Sequence, residues 1–212
     1  MTPVARTVSL CLVFIVVVVS LSVYSKLRTP ALSEDEMRQR GVFLLPRPRD
    51  IAPFALTDQN GATYDNERLQ GTWSFVFFGF TNCPDVCPTT MSEMGKAARA
   101  LQVGGPAADA FQGVLITVDP ERDTQALLGR YAEAFSPTFL GVRGERAALA
   151  DFAQQVSAAF GKVPSDDEIG YTMDHTGNIV IINPRGHYHG FMKLPHDAET
   201  IRLVYQTLAA SF

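Results

Sequence analysis

The sequence is short of cysteine, with three in 212 residues, too few to staple a small disulfide scaffold. It lacks a dominant charge sign: 18 basic side chains face 22 acidic ones, and no basic stripe marks it as a general nucleic-acid binder. It has no low-complexity block, no internal repeat and no extreme of composition, which excludes a disordered tail, a coiled coil and a collagen-like fibre. After residue 25 no apolar run is long enough to cross a bilayer, so a polytopic membrane protein is excluded. What remains is a mildly acidic body of one-domain size, 46% apolar and able to bury a core.

The apolar content is concentrated at the start, where Arg6 is the one charged side chain in residues 1–25. The stretch from Thr7 to Ser25 carries no charge, and Val8–Val19 is apolar except for Ser9. As a helix, its 19 residues would span roughly 28 Å, close to the hydrocarbon thickness of a bilayer. Two readings compete. One is an uncleaved single-pass anchor with Tyr24 and Lys26 at the interface; the other is a signal peptide cut near Ser22 or Ser25. The length of the run favours the anchor. Arg6 on one flank and Lys26 and Arg28 on the other leave orientation undecided by charge. Cys11, inside the run, reads as a small hydrophobe. The chain is therefore divided into an anchor at 1–25, a linker at 26–49 and a folded domain at 50–212.

Residues 26–41 are charged and end in Gly41, which suits a tether, and Val42–Leu45 reads as an edge strand followed by Pro46, Pro48 and Pro53. Phe54–Leu56 and Ala62–Tyr64 flank Asn60-Gly61, a hairpin turn signal. Trp73–Phe80 is a near-continuous apolar run, expected for a strand buried on both faces. A helix is predicted from about Pro88 to Val103, a second buried strand over Phe111–Val118, a helix over Thr124–Phe135 and a short strand over Phe139–Val142. Apolar spacing predicts a further helix over Glu145–Phe160. Ile179–Ile182 and His187–Met192 read as two strands joined by a turn at Asn183–Gly186, and 197–210 as a closing helix. Strands alternating with helices, then a hairpin and a last helix, describe an α/β sandwich. The order is that of a thioredoxin-like domain, a mixed β-sheet flanked by helices, with an N-terminal β extension and one transmembrane helix ahead of it.

Two cysteines stand where the buried strand gives way to the helix, in Thr81-Asn82-Cys83-Pro84-Asp85-Val86-Cys87-Pro88. A helix start offers unpaired N–H groups and a positive dipole end, which favour thiolate over thiol. The C-x-x-x-C spacing lets both sulfurs reach one point, whether Pro88 opens the helix with Cys87 as its cap or the helix begins earlier. A structural disulfide here would close a tiny loop and gain little, so a redox-active or metal-binding pair carries more weight. Two thiolates alone make a poor zinc site. Two thiolates with one imidazole suit copper, as Cu(I) above all.

Of four histidines, His175 lies in Tyr171–Gly177, read as a loop ahead of the Ile179–Ile182 strand. In a thioredoxin-like sheet that loop faces the helix-start cysteines, and Asp174 is placed to orient the ring or balance charge. His187 and His189, spaced i, i+2, read as an exposed strand face, and His196 as loop or helix-start chemistry.

With these residues assembled, the chain resembles the SCO/SenC family of copper-binding assembly proteins for cytochrome c oxidase. Three stretches carry the resemblance in order: Phe78–Pro88, Val118-Asp119-Pro120-Glu121-Arg122-Asp123-Thr124, and Asp174-His175-Thr176. The resemblance runs from about Asp50 to the C terminus. It implies a thioredoxin-like domain on a membrane anchor, with Cys83, Cys87 and His175 as copper ligands and Asp119 and Asp123 as supporting residues near the metal. It also implies an inner-membrane, single-pass protein with the N terminus in the cytoplasm and the domain in the periplasm.

Three functions compete. A copper metallochaperone would bind Cu(I) or Cu(II) and hand it to the dinuclear copper site of oxidase subunit II or another cuproprotein, with a thiol–disulfide reductant keeping the pair open. A thiol–disulfide oxidoreductase would use the same thiolate to reduce a target's cysteines. A redox or copper sensor would use it to signal. His175 discriminates, because a pure reductase has little use for it.

Overall fold

The computed structural model describes residues 9–20, 31–103, 111–166 and 170–212. The anchor expected at 1–25 lies partly outside these. Its described part is a helix, α1 (residues 9–20), with every side chain exposed. Among the described residues no helix is long and apolar enough to cross a membrane.

The body begins with α2 (Glu34–Gln39) and β1 (Val42–Arg49), both in the segment read as a linker. The α2 helix exists because Ser33 and Glu36 form a reciprocal capping box, satisfying free N–H groups at the helix start. Its Met37 is buried against the core, and the amide of Leu32 donates to Thr207 Oγ1 at 2.9 Å. As the edge-strand reading of Val42–Leu45 expects, β1 is the outer strand of the main sheet, paired with β10 (Tyr188–Met192).

The hairpin of β2 (Ala55–Asp58) and β3 (Thr63–Asp65) forms as expected, with Gly61 at φ 81°. Asp58 Oδ1 accepts from the amides of Asn60 and Ala62 and holds the turn. The central strand is β4 (Trp73–Gly79), buried at every position. It is parallel to β5 (Phe111–Thr117), which is parallel to β6 (Leu140–Arg143), and antiparallel to β9 (Ile179–Ile182). The full order is β1-β10-β9-β4-β5-β6-β2-β3, one mixed sheet of eight strands.

Helices α3 (Val86–Val103), α4 (Gln125–Phe135), α5 (Arg146–Gln155) and α6 (Ala198–Ser211) flank the sheet. Alternation along β4 feeds both faces. Phe75 meets Tyr205 of α6, while Phe78 meets Phe152 of α5. The α6 face buries Ile201, Val204, Tyr205 and Leu208 as its spacing predicts.

The region after α5 departs from the sequence reading. The helix stops at Gln155, Ser157 turns the chain at φ 59°, and Phe160, expected on the helix, opens a strand. That strand, β7 (Phe160–Pro164), pairs with β8 (Tyr171–His175) as a separate two-stranded sheet. The stretch read as a loop before β9 is thus the second arm of a hairpin.

Candidate metal centre

The sulfur half of the site is built on β4. The strand ends at Gly79, where an added Cβ would stand 2.8 Å from Cys87 Sγ and 3.0 Å from Phe77 Cε1. Glycine therefore lets the first turn of α3 lie directly on the strand end. The chain turns through Phe80–Asp85, with the Cys83 amide donating to the Phe80 carbonyl at 3.3 Å, and α3 starts at Val86. Cys87 is its second residue and Pro88 its third, so the helix begins earlier than a proline-opened start would give. Proline in the first turn breaks no helical hydrogen bond. Cys83 is half-buried, Cys87 is fully buried, and neither is in a disulfide.

The imidazole comes from the end of β8. His175 pairs across the hairpin with Phe160, and its ring meets the edges of Phe77 and Phe80 at 5.7 and 5.9 Å. Its Nε2 lies 3.6 Å from Cys87 Sγ and its Nδ1 3.3 Å from the Thr176 carbonyl oxygen. The ring thus turns Nδ1 to that carbonyl and Nε2 to the sulfurs. The donor atoms of Cys83, Cys87 and His175 all lie within 4.8 Å of one another, the one such trio among the described residues. Two soft thiolates and an imidazole are a donor set for copper.

One proton is divided unequally between the sulfurs. The Cys87 thiol donates to Cys83, and His175 and the amides of Asp85 and Cys87 add to this against burial. Together they push the Cys83 pKa down to about 4. Cys87 is driven the other way, by its role as donor to Cys83 and by burial. Cys83 is the thiolate and Cys87 the thiol. The Cys87 amide also donates to Cys83 Sγ at 3.4 Å, which ties that charge to the helix start.

The sequence-predicted acidic residues stand behind the ligands, not among them. Asp123 is buried and takes the Thr81 amide at 3.1 Å, the Thr81 hydroxyl at 2.5 Å and the Thr117 hydroxyl at 2.7 Å. It fixes the turn that carries Cys83, while the α4 cap is Thr124. Asp119 is buried and ion-paired with Arg122, and it accepts from the Tyr171 hydroxyl at 3.1 Å. Arg122 lies over the Tyr171 ring at 4.2 Å and near the Phe80 ring at 5.7 Å, a cation–π sandwich. It straps the start of β8 to the β4–α3 turn. Asp174 does not orient His175. It is exposed, neighbours on a strand point to opposite faces, and the ring's Nδ1 is met by Thr176 instead.

The remaining histidines lie outside the trio. His187 pairs with Asp50 at 3.2 Å, and His189 stands edge-on to Trp73 at 5.1 Å. His196 is buried, bonded to Thr90 Oγ1 at 3.0 Å and near the Met192 carbonyl at 3.2 Å. Gly79, Thr81, Arg122 and Tyr171 were not singled out as individual parts of the site, although the Gly-Phe-Thr and Asp-Pro-Glu-Arg runs around the motifs signalled three of them. Tyr171 had no sequence signal.

Open clefts of about 290 and 550 Å³ meet at Cys83. One runs between Phe80, Val86, Met173 and His175, and the other past Asn82, Arg122 and Thr172. The metal position is therefore open to a partner's donor group.

A family model described as SCO1/SenC matches residues 45–210. A protein of Stutzerimonas stutzeri named "Putative copper-binding protein" is 38% identical over 172 residues, covering 78% of this chain and 81% of that one. The structure of Bradyrhizobium japonicum ScoI with copper bound superposes with a TM-score of 0.65 at 36% identity, covering 74% of this chain and 98% of that chain. Yeast Sco1 with copper bound gives 0.69 at 27% identity, covering 78% and 91%.

Proposed function

The chain belongs to the SCO1/SenC family, and on that premise we propose that it is a copper metallochaperone. It takes copper, as Cu(I) or Cu(II), on Cys83, Cys87 and His175 and passes it to the dinuclear copper site of cytochrome c oxidase subunit II or another cuproprotein. The observation that carries this is the convergence of two sulfurs and one Nε2 within 4.8 Å at the meeting of open clefts. Three donors hold a soft ion while leaving a coordination position for an incoming thiolate, so ligands exchange one at a time and the ion is never released. Proton balance follows from the resting pair. Cys83 binds as the thiolate it already is, and the Cys87 proton leaves to water as its sulfur binds.

The domain works outside the cytoplasm, held at the inner membrane by the segment at 1–25. The run of exposed apolar side chains on α1 supports this, since such a helix is stable in lipid, where its backbone groups satisfy one another. A thiol–disulfide reductant is the second partner, because an oxidised pair offers no thiolate.

A second reading has its own support. A thiolate near pKa 4 beside a retained thiol is the arrangement of a disulfide reductase, in which the first attacks a target disulfide and the second resolves the mixed one. Titration of the reduced protein with copper separates the two. One copper per chain, with retention far weaker in Cys83→Ser, is expected, and a wild-type stoichiometry of zero would overturn the chaperone reading. His175→Ala would then lose copper while keeping its rate of disulfide exchange; equal loss of both would favour the reductase.

A further inference from the structure

The pairing within the β7–β8 hairpin fixes which way each main-chain group points. The Thr176 amide donates to the Ala159 carbonyl at 2.9 Å and the Ser165 amide to that of Gly170 at 3.2 Å, with regular register between them. In an antiparallel pair, hydrogen-bonded positions alternate with unbonded ones. The N–H and C=O groups of Thr172 and Asp174 therefore face β7, and those of Tyr171, Met173 and His175 face away from it. On β7 the outward positions are Phe160, Lys162 and Pro164. Proline and lysine keep an edge strand from pairing, and the outer side of β7 carries both; that of β8 carries neither. At its start the Tyr171 carbonyl accepts from Arg122 at 3.4 Å. Beyond that, among the described residues, β8 has no second partner strand, and nothing bonds the outward N–H and C=O of Met173. Met173 is 5% exposed, and buried main-chain groups are nearly always paired. An open cleft runs along this edge, with Thr172, Met173 and His175 on one wall and Cys83, Pro84 and Asp85 on the other.

We propose that the outer edge of β8 docks an extended partner segment that carries a cysteine, added as an antiparallel strand. A row of main-chain donors and acceptors is matched by another main chain. Residues directly opposite in such a pair put their side chains on one face. A residue opposite Met173 thus points the way of the His175 ring, whose Nε2 faces Cys87 Sγ at 3.6 Å. A cysteine there brings its sulfur to the metal position. The residue before it stands opposite Asp174, which is exposed and points to the other face, so a lysine or arginine suits that place. Asp85, also exposed, lines the same cleft, and no described lysine or arginine does. The choice of cysteine rests on the copper reading; the free edge does not.

The probe is a peptide, acetylated and amidated, of sequence Thr-Val-Lys-Cys-Thr-Val-Thr, added without air to the reduced full-length protein in detergent. Amide exchange read by NMR should slow about tenfold at Met173, while Lys162, on the guarded edge of β7, stays as it was. The peptide's cysteine nitrogen faces β8, and its N-methylation should weaken binding about tenfold. The lysine nitrogen faces away, and its N-methylation should leave affinity unchanged. Asp174→Asn should weaken binding about two- to fivefold. A Met173 amide that exchanges as before at about 1 mM peptide, or any other pattern from the two methylations, overturns the inference. Copper titration of the same sample keeps the two readings apart. Copper bound with Met173 unprotected leaves the chaperone standing and this edge refuted. Met173 protected in a chain that binds no copper refutes the chaperone and leaves the edge serving the disulfide reductase.

Discussion

The two halves of the metal site stand on unlike ground. Cys83 and Cys87 sit at the end of β4, a strand buried at all seven positions and paired on both sides within the eight-stranded sheet. His175 ends a two-stranded hairpin outside that sheet, with Lys162, Val163, Pro164 and Asp174 exposed. Regions with few buried contacts open locally at lower cost than the core. The sulfurs are therefore fixed by the fold, whereas the imidazole depends on a few particular bonds. These are the Arg122 strap at Tyr171 and the Thr176 hydroxyl, which takes the Ala159 amide at 3.0 Å and donates to the Ala159 carbonyl at 3.3 Å.

That contrast can be broken from its strong side first. Cys87→Ser should weaken copper retention by more than the roughly 100-fold that bounds the loss of an outer partner of a metal site, read by competition with a chelator of known affinity. His175→Ala, which also removes a ligand, should weaken copper retention beyond that same bound but by less than Cys87→Ser, with a melting temperature close to wild type. Gly79→Ala should do the reverse. Its Cβ has no room beside Cys87 Sγ, so we expect about 1–3 kcal/mol of destabilisation, seen in urea melts. Thr176→Val should cost about 1 kcal/mol and speed amide exchange in β7 and β8 while β4 and β5 stay protected. Equal exchange in both regions would mean that the hairpin is as firmly held as the sheet.

The mildest test is pH. Burial lowers the pKa of His196 against the opposing pull of the Met192 carbonyl, and burial lowers that of His189 as well. A base whose folded pKa is depressed takes up its proton more readily unfolded. Stability from these residues is therefore complete above about pH 6.5, the unfolded value, and declines as pH falls below it. Melting temperatures from pH 7.5 to 5 should fall, less steeply in His196→Gln.

The same contrast governs how much could be read from the sequence. The cysteine half was legible because its signals are local: an apolar run, a turn and a helix start in a row. The thioredoxin-like order was read from the whole alternation of strands and helices, and the third ligand from the place of His175 ahead of the Ile179–Ile182 strand and from the family resemblance. The histidine's identity was legible, but its setting was not. Phe160 continues the helical spacing of Leu149, Phe152 and Val156, and no glycine or proline marks the end of α5. The stop is made by Ser157 in a left-handed conformation, which serine rarely adopts. With Phe160 assigned to the helix, β8 had no partner and read as a loop. The α2 helix was hidden by its charges, although Ser33 and Glu36 carry the spacing of a capping box. The role first given to Asp174 fell to the Thr176 carbonyl, a main-chain acceptor that no residue type announces.

The bare surface of α1 has a practical consequence. Nine large apolar side chains, from Leu10 to Val19, stand in contact with solvent at 46–71% exposure, far more than an isolated soluble helix can keep in water. In aqueous buffer without detergent, full-length copies should cluster through this rod, and light scattering should report particles much heavier than 23.2 kDa. Starting the chain at residue 31 should return a monodisperse species with copper stoichiometry intact.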